Sequence, residues 1–226
     1  MKYENIVKGE FIERPNRFIA EVVIDGETET VHVKNTGRCK ELLIKGRTVY
    51  LSRAANPERK TKYDLIAVDK DGLLINMDSQ IPNGAAVEWL KKGNIFSEKA
   101  VIKREVTYGK SRFDLYIEDD GRKAFLEVKG VTLEENGIVM FPDAPTERGV
   151  KHIRELISCM KDGYEAYILF VVQMKGVKYF CPNYKTHPDF ADALKDAAKA
   201  GVNVIAAECS VAPDRIEIDR KIEIKL

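Results

Sequence analysis

Residues 105–130 read EVTYGKSRFDLYIEDDGRKAFLEVKG, and the reading of this stretch decides the fold. Asp120-Gly121 lies between two alternating runs, and this dipeptide supplies the positive φ values that a two-residue hairpin turn requires. Tyr108-Gly109-Lys110-Ser111 offers a second tight turn with glycine first. Three antiparallel strands are therefore predicted, over 101–107, 112–118 and 123–131. Strand alternation puts Glu127 and Lys129 on one face and Leu126 and Val128 on the other. In the register set by the first turn, Asp114 faces Glu127, Leu115 faces Leu126 and Phe113 faces Val128. The second turn sets Glu105 opposite Asp114, which makes a row of three carboxylates with Lys129 one step along.

Opposed carboxylates have Cβ atoms about 5 Å apart and repel unless a cation lies between them. Hard oxygen ligands of this kind suit a divalent ion, Mg²⁺ or Mn²⁺, held by Asp114, Glu127 and Glu105. Beside such an ion, Lys129 suits phosphodiester hydrolysis: the ion activates water and polarises the phosphate, and the ammonium stabilises charge. Asp114, Glu127 and Lys129 are then the candidate catalytic trio. An E-x-K triplet alone carries little weight, since Glu58-Arg59-Lys60 and Glu223-Ile224-Lys225 repeat it without an opposed Asp.

Beyond Lys129, Thr146 is a good N-cap for a helix reaching Met160, with Val150, Ile153, Ile157 and Met160 on one apolar side. Its polar side carries Arg148, His152 and Glu155. Arg148 and His152 at a helix start fit a phosphate, and equally fit an ordinary surface helix end. The run YILFVV over 167–172 reads as a strand buried on both faces. A helix over 189–200, a strand over 202–206 and an alternating edge strand over 215–226 complete this half. Upstream, AAVEWLKK over 85–92 reads as a short helix, and Pro82-Asn83-Gly84 as a turn at a domain boundary. A meander joined to helix crossovers makes residues 81–226 a mixed α/β domain.

Residues 1–80 are all strand-like, with segments over 19–24, 28–33, 48–51, 65–68 and 73–77 and tight turns at Asp25-Gly26 and Asp71-Gly72. Five short strands in such a length suggest an OB-like β-barrel. Residues 38–62 hold eight basic residues against Glu41 and Glu58, in a chain of net charge +1. Arg38, Lys40, Arg53, Arg59, Lys60 and Lys62, with Tyr50 and Tyr63 among them, form either a phosphate-binding stripe or a solvated face. His32 and His187 have no evident partner and read as surface or packing residues.

The 226 residues and 32 % charged composition are those of a globular chain able to bury a core unaided. No eighteen-residue apolar run exists, which excludes a membrane helix. The N-terminal MKYENIVKGEFIERP lacks a signal-peptide core. Cys39, Cys159, Cys181 and Cys209 are scattered, with no C-x-x-C pair, as expected of a cytoplasmic protein in a reducing compartment. A P-loop, a G-x-G-x-x-G and a G-x-S-x-G are all absent from the sequence, so nucleotide-driven and serine-hydrolase readings have no support.

Several motifs occur in order along the chain: Asn35-Thr36-Gly37, Ser111-Arg112-Phe113-Asp114, Glu127-Val128-Lys129-Gly130, Phe141-Pro142-Asp143, and Thr146-Glu147-Arg148-Gly149 with His152. Together they resemble the bacterial and archaeal sugar fermentation stimulation protein family. The resemblance implies an N-terminal OB-like domain followed by a restriction-endonuclease-like domain, DNA binding, and a link to maltose metabolism. The D…E-x-K trio of that nuclease superfamily falls on Asp114, Glu127 and Lys129. Two readings follow: a Mg²⁺- or Mn²⁺-dependent nuclease binding DNA largely without sequence preference, and a non-catalytic DNA-binding regulator of sugar metabolism. A small-molecule sensor or hydrolase is the third, ranked last.

Overall fold

The computed structural model describes residues 1–35, 37–56 and 58–226. Thr36 of the Asn35-Thr36-Gly37 motif therefore lies outside the described residues. The first six strands are β1 (Ile6–Glu13), β2 (Ile19–Ile24), β3 (Glu27–Val33), β4 (Thr48–Arg53), β5 (Tyr63–Lys70) and β6 (Leu73–Asn76). They run in the order β3-β2-β1-β4-β5-β6, and a parallel β3–β5 pairing at His32–Asp64 and Val33–Leu65 closes five of them into a barrel. Phe11, Val22, Val31, Val49, Leu51 and Leu65 fill it. Both Asp-Gly turns have positive φ at each residue, 52° and 88° at Asp25-Gly26 and 55° and 90° at Asp71-Gly72. Strand β1 escapes sequence reading because it shows the solvent a charged face, with Lys8 and Glu10 exposed and Phe11 its one fully buried residue.

The second domain begins with helix α1 (Ile81–Leu90), four residues earlier than expected. Pro82 stands in its first turn, where a missing N–H costs nothing, so Pro82-Asn83-Gly84 opens the helix rather than making a turn. A six-stranded sheet follows, built from β7 (Val101–Tyr108), β8 (Ser111–Asp119) and β9 (Arg122–Val131), then β12 (Glu165–Val172), β14 (Asn203–Ala212) and β15 (Arg215–Lys221). Its order is β15-β14-β12-β9-β8-β7. Strands β9, β12 and β14 are parallel neighbours at its centre, as the apolar run of β12 requires, and β7-β8-β9 form the expected meander. Helix α2 (Glu147–Lys161) starts at the expected Thr146 cap, whose hydroxyl accepts the Gly149 N–H at 3.1 Å, and packs with α3 (Pro188–Ala200).

A second, small sheet goes beyond the sequence expectation. It joins β10 (Leu133–Glu135), β11 (Ile138–Phe141), β13 (Tyr179–Pro182) and β16 (Glu223–Ile224). These strands have two to four residues each, too few for a period to register. The tail thus divides between β15 on the large sheet and β16 on the small one, instead of forming one edge strand. Buried Gln173 fastens barrel to second domain: its Nε2 donates to Asn76 Oδ1 at 3.0 Å and to Asp78 O at 3.1 Å, and its carbonyl accepts the Asn76 N–H. Gly130 sits against this joint. A Cβ there would lie 2.5 Å from Gln173 Oε1 and 2.9 Å from Pro82 Cγ, so the strand can pass only without a side chain. Among the described residues no helix is long and apolar enough to cross a membrane.

Candidate functional site

The β8–β9 ladder has the register read from the sequence, from Asp119–Arg122 to Leu115–Leu126, and it stops one pair before Asp114 and Glu127. Asp114 Oδ2 accepts the Val128 backbone N–H at 2.8 Å. Asp114 Oδ1 accepts from Asn83 Nδ2 at 2.9 Å, which reaches it from the first turn of α1. The early start of that helix therefore supplies a side chain to the site. Sequence reading misses Asn83 by assigning it to a turn; the signal is Pro82, which favours a first helical turn as readily as a loop.

Glu127 is 2 % exposed. Its Oε1 accepts from Lys129 Nζ at 2.5 Å and lies 2.5 Å from His152 Nδ1, while its Oε2 is buried without a hydrogen-bond partner. The other ring nitrogen of His152, Nε2, lies 3.4 Å from Arg148 Nε. Arginine can only donate, so Nε2 carries the lone pair and Nδ1–H donates to Glu127. Burial pushes the Asp114 carboxyl up, and the neighbouring Glu127 charge adds to the rise against the Val128 and Asn83 hydrogen bonds. Burial also pushes Glu127 up, but the His152 hydrogen bond and the Lys129 charge outweigh it and hold that carboxyl below its ordinary range. One carboxylate is thus strained by its neighbour and the other is compensated.

Two expected roles change. Glu105 holds its register position, but its φ of 55° breaks the β7–β8 ladder at that point. Its side chain is 64 % exposed and pairs with Arg112 at 3.5 Å, so the third carboxylate is turned away from the other two. His152 is not a surface phosphate ligand: it is 5 % exposed, wedged between Phe113 and Glu127. Arg148 remains exposed.

The basic stripe comes apart on the barrel surface. Arg59 grips Asp64 through two bonds of 3.0 and 2.8 Å, and Lys62 pairs with Glu29 at 2.7 Å. Burial pushes Asp64 up, but Arg59 and His32, whose Nδ1 is 2.8 Å away, prevail and hold it low. His32 therefore has a partner that sequence spacing does not reveal. Arg38, Lys40, Arg53 and Lys60 make no ion pair among the described residues, and all four are exposed. Tyr63 is buried and Tyr50 half-buried, so neither offers a free stacking face. The loop carrying Arg38 and Lys40 is held in place by Arg14, whose guanidinium donates to the carbonyls of Arg17, Asn35, Gly37 and Arg38. Asp143 Oδ2 accepts the Arg38 N–H at 3.3 Å and links this loop to the second domain. Buried His187 also has partners: its Nδ1 accepts the Thr146 N–H at 3.3 Å.

Comparison with known proteins agrees with this arrangement. Residues 12–77 match the family model described as the SfsA N-terminal OB domain, and residues 80–215 match the sugar fermentation stimulation protein RE domain. A sugar fermentation stimulation protein homolog of Ruminiclostridium cellulolyticum is 59 % identical over 226 residues, covering 100 % of both chains. One from Clostridium beijerinckii is 58 % identical over the same span. A solved structure, Pyrococcus furiosus SfsA in complex with Ca²⁺, superposes with a TM-score of 0.88 at 32 % identity, covering 100 % of this chain and 98 % of that one. The chain belongs to the sugar fermentation stimulation protein family, with an N-terminal OB barrel followed by an α/β domain.

Proposed function

We propose that this family member is a nuclease that hydrolyses nucleic-acid phosphodiesters with a bound Mg²⁺ or Mn²⁺, on a restriction-endonuclease-like domain. The observation that carries this reading is the buried, unpartnered Oε2 of Glu127 beside Asp114, whose carboxyl is pushed up by burial and further by the Glu127 charge. A buried oxygen without a partner is costly, and a cation shared with Asp114 would relieve both groups. Among the described residues no cluster of three His, Cys, Asp or Glu could hold an ion alone. Two carboxylates fit Mg²⁺ nonetheless, because that ion keeps several waters and takes substrate phosphate oxygens as ligands. The Ca²⁺ in complex with Pyrococcus furiosus SfsA is a hard cation of the same preference.

Asp114 and Glu127 would hold the divalent ion, which would supply an activated water and polarise a phosphoryl oxygen. Asn83 and the Val128 N–H orient Asp114. The His152 Nδ1–H fixes Glu127 so that Oε2 is left as the free ligand oxygen. Lys129 places an ammonium where negative charge develops on the phosphate. The four unpaired cysteines suit the reducing cytoplasm. DNA, bound mainly through its phosphates and therefore with little sequence dependence, is the partner.

The second reading is a non-catalytic DNA-binding regulator of sugar metabolism. One observation favours it: Glu127 Oε1 is already shared by Lys129 and His152, so this carboxylate is compensated without an ion. The test incubates the purified protein with duplex, single-stranded and branched DNA in Mn²⁺ or Mg²⁺. The nuclease reading expects cleavage that chelator abolishes and that Asp114→Asn and Glu127→Gln each lack. An intact substrate in all three forms at high protein concentration ends that reading in favour of the regulator.

A further inference from the structure

A groove of about 790 Å³ runs between the β7–β8 turn and the first two turns of α2. We infer that it is a binding track for the sugar–phosphate backbone of a nucleic-acid strand leading to Glu127. This rests on the phosphodiesterase reading and gives that site its substrate path. Five cations line the groove, Lys110 and Arg112 from one wall and Arg148, Lys151 and Arg154 from the other. The opposing acids are Glu147 and Glu155.

The cations are available. Lys110, Arg148 and Arg154 make no ion pair among the described residues, and all three are exposed. The Arg112–Glu105 contact of 3.5 Å is between exposed side chains and so is weak. Lys151 donates to Lys110 O at 2.6 Å and approaches Glu155 only to 3.9 Å. Ser111, 5 % exposed, also lines the groove, with its Oγ buried beneath the surface.

The geometry selects a polymer backbone over a compact ligand. Small-molecule sites are mostly apolar concavities, whereas this groove is open and its walls are charged. Lys110 stands in the β7–β8 turn, two residues before Arg112 at the start of β8, and Arg148 and Arg154 are about 9 Å apart along their helix. Two facing rows of cations at those intervals can follow successive phosphates of one strand. At the floor stands His152, whose Nδ1 is 2.5 Å from Glu127 Oε1, so one side chain separates the groove from that carboxylate.

Binding is read by fluorescence anisotropy of labelled duplex and single-stranded oligonucleotides in chelator, across a salt series. The variants are Lys110→Glu/Arg154→Glu and its charge-neutral counterpart Lys110→Gln/Arg154→Gln, each checked for an unchanged melting transition. Both should weaken binding on every sequence, the first by roughly tenfold or more, and the second should lower the salt slope by about 1 for each phosphate no longer engaged. Affinity and slope equal to those of the unmodified protein overturn the track. So does full displacement of the oligonucleotide by inorganic phosphate at low millimolar concentration, which marks a small-anion site. Because chelator removes divalent ions from the assay, the outcome is separable from catalysis. Unmodified protein that binds through the groove but never cleaves with Mn²⁺ sinks the nuclease reading alone. Cleaving protein whose affinity ignores both variants sinks the track alone.

Discussion

The meander face and the barrel stripe each concentrate charge within a short stretch of chain, and the fold treats them in opposite ways. On β8 and β9 two carboxylates and a lysine converge, Glu127 buried and Asp114 and Lys129 half-buried, and one Glu127 oxygen is left unpartnered. On the barrel, Arg59 and Lys62 are spent on Asp64 and Glu29, which come from neighbouring strands, while Arg38 and Lys40 stay free among the described residues. Counting charges along a sequence therefore measures little. What decides is whether strand register places a compensating group opposite, and register is fixed by turns.

The contrast is most exposed to test at Lys129. Lys129→Ala should cut single-turnover cleavage by about 10²–10³-fold, because it removes one preorganised charge from the transition state. Metal affinity measured by calorimetry should change little, since both carboxylates and His152 remain. A loss of folding stability with cleavage unchanged would make Lys129 a plain salt-bridge partner of Glu127.

A counterpart on the barrel is Arg59. Arg59→Ala leaves the nearly buried Asp64 with only His32, and hydrogen bonds to charged groups contribute about 1.5–3 kcal/mol. Urea unfolding should show a loss of that order, reduced because Arg59 is itself a third exposed. Nucleic-acid affinity should scarcely move. A large fall in affinity with stability intact would return Arg59 to the binding surface.

These outcomes bear on what is legible in the sequence. Both hairpin registers, and with them Asp114 and Glu127, can be read because Asp-Gly and Gly-Lys turns count residues unambiguously. Glu105 cannot be placed: its left-handed backbone is a local distortion that alternation does not foresee. His152 falls on the correct helix but in the wrong surroundings, since helix periodicity is silent about which sheet residue a polar side chain meets. The short strands of the small sheet and the pairings of Arg59, Lys62 and His32 depend on neighbours that alternation does not identify. The sign of a cluster is readable; its compensation is not.

The two carboxylates of the meander can be told apart by pH. Asp114 has a raised carboxyl, so its ionised form destabilises the fold at neutral pH, and that penalty fades as pH falls through the raised value. Asp114→Asn should therefore stabilise the metal-free protein at pH 7 by a few tenths to about 1 kcal/mol, with the gain shrinking in acid. Glu127 is lowered, so its stabilising contribution is complete above the unfolded carboxylate range and is lost as pH falls through its folded value. Glu127→Gln should cost stability at pH 7 and converge on the unmodified protein in acid. Urea titrations between pH 3 and about 7 give both curves. Parallel curves for the two variants would mean that the carboxylates do not differ as described.

The smallest effect expected is on the stripe. Phosphate contacts release counterions, so removing each one should lower the salt slope of binding by about 0.9 on duplex DNA. Arg38 and Lys40 are exposed and unpaired among the described residues, on a loop that Arg14 and Asp143 hold in place. Arg38→Ala/Lys40→Ala should accordingly lower the slope by up to about 2 and weaken binding evenly across sequences. Lys62→Ala should leave the slope where it was, because Glu29 already neutralises that ammonium at 2.7 Å and an approaching phosphate must first displace it. A surface Lys–Glu pair contributes so little that its rupture is no barrier if phosphate binds well. Equal slope losses for Lys62 and for the Arg38–Lys40 pair, counted per charge, would therefore show that the whole stripe faces the nucleic acid and that the pairings seen along it dissolve on contact.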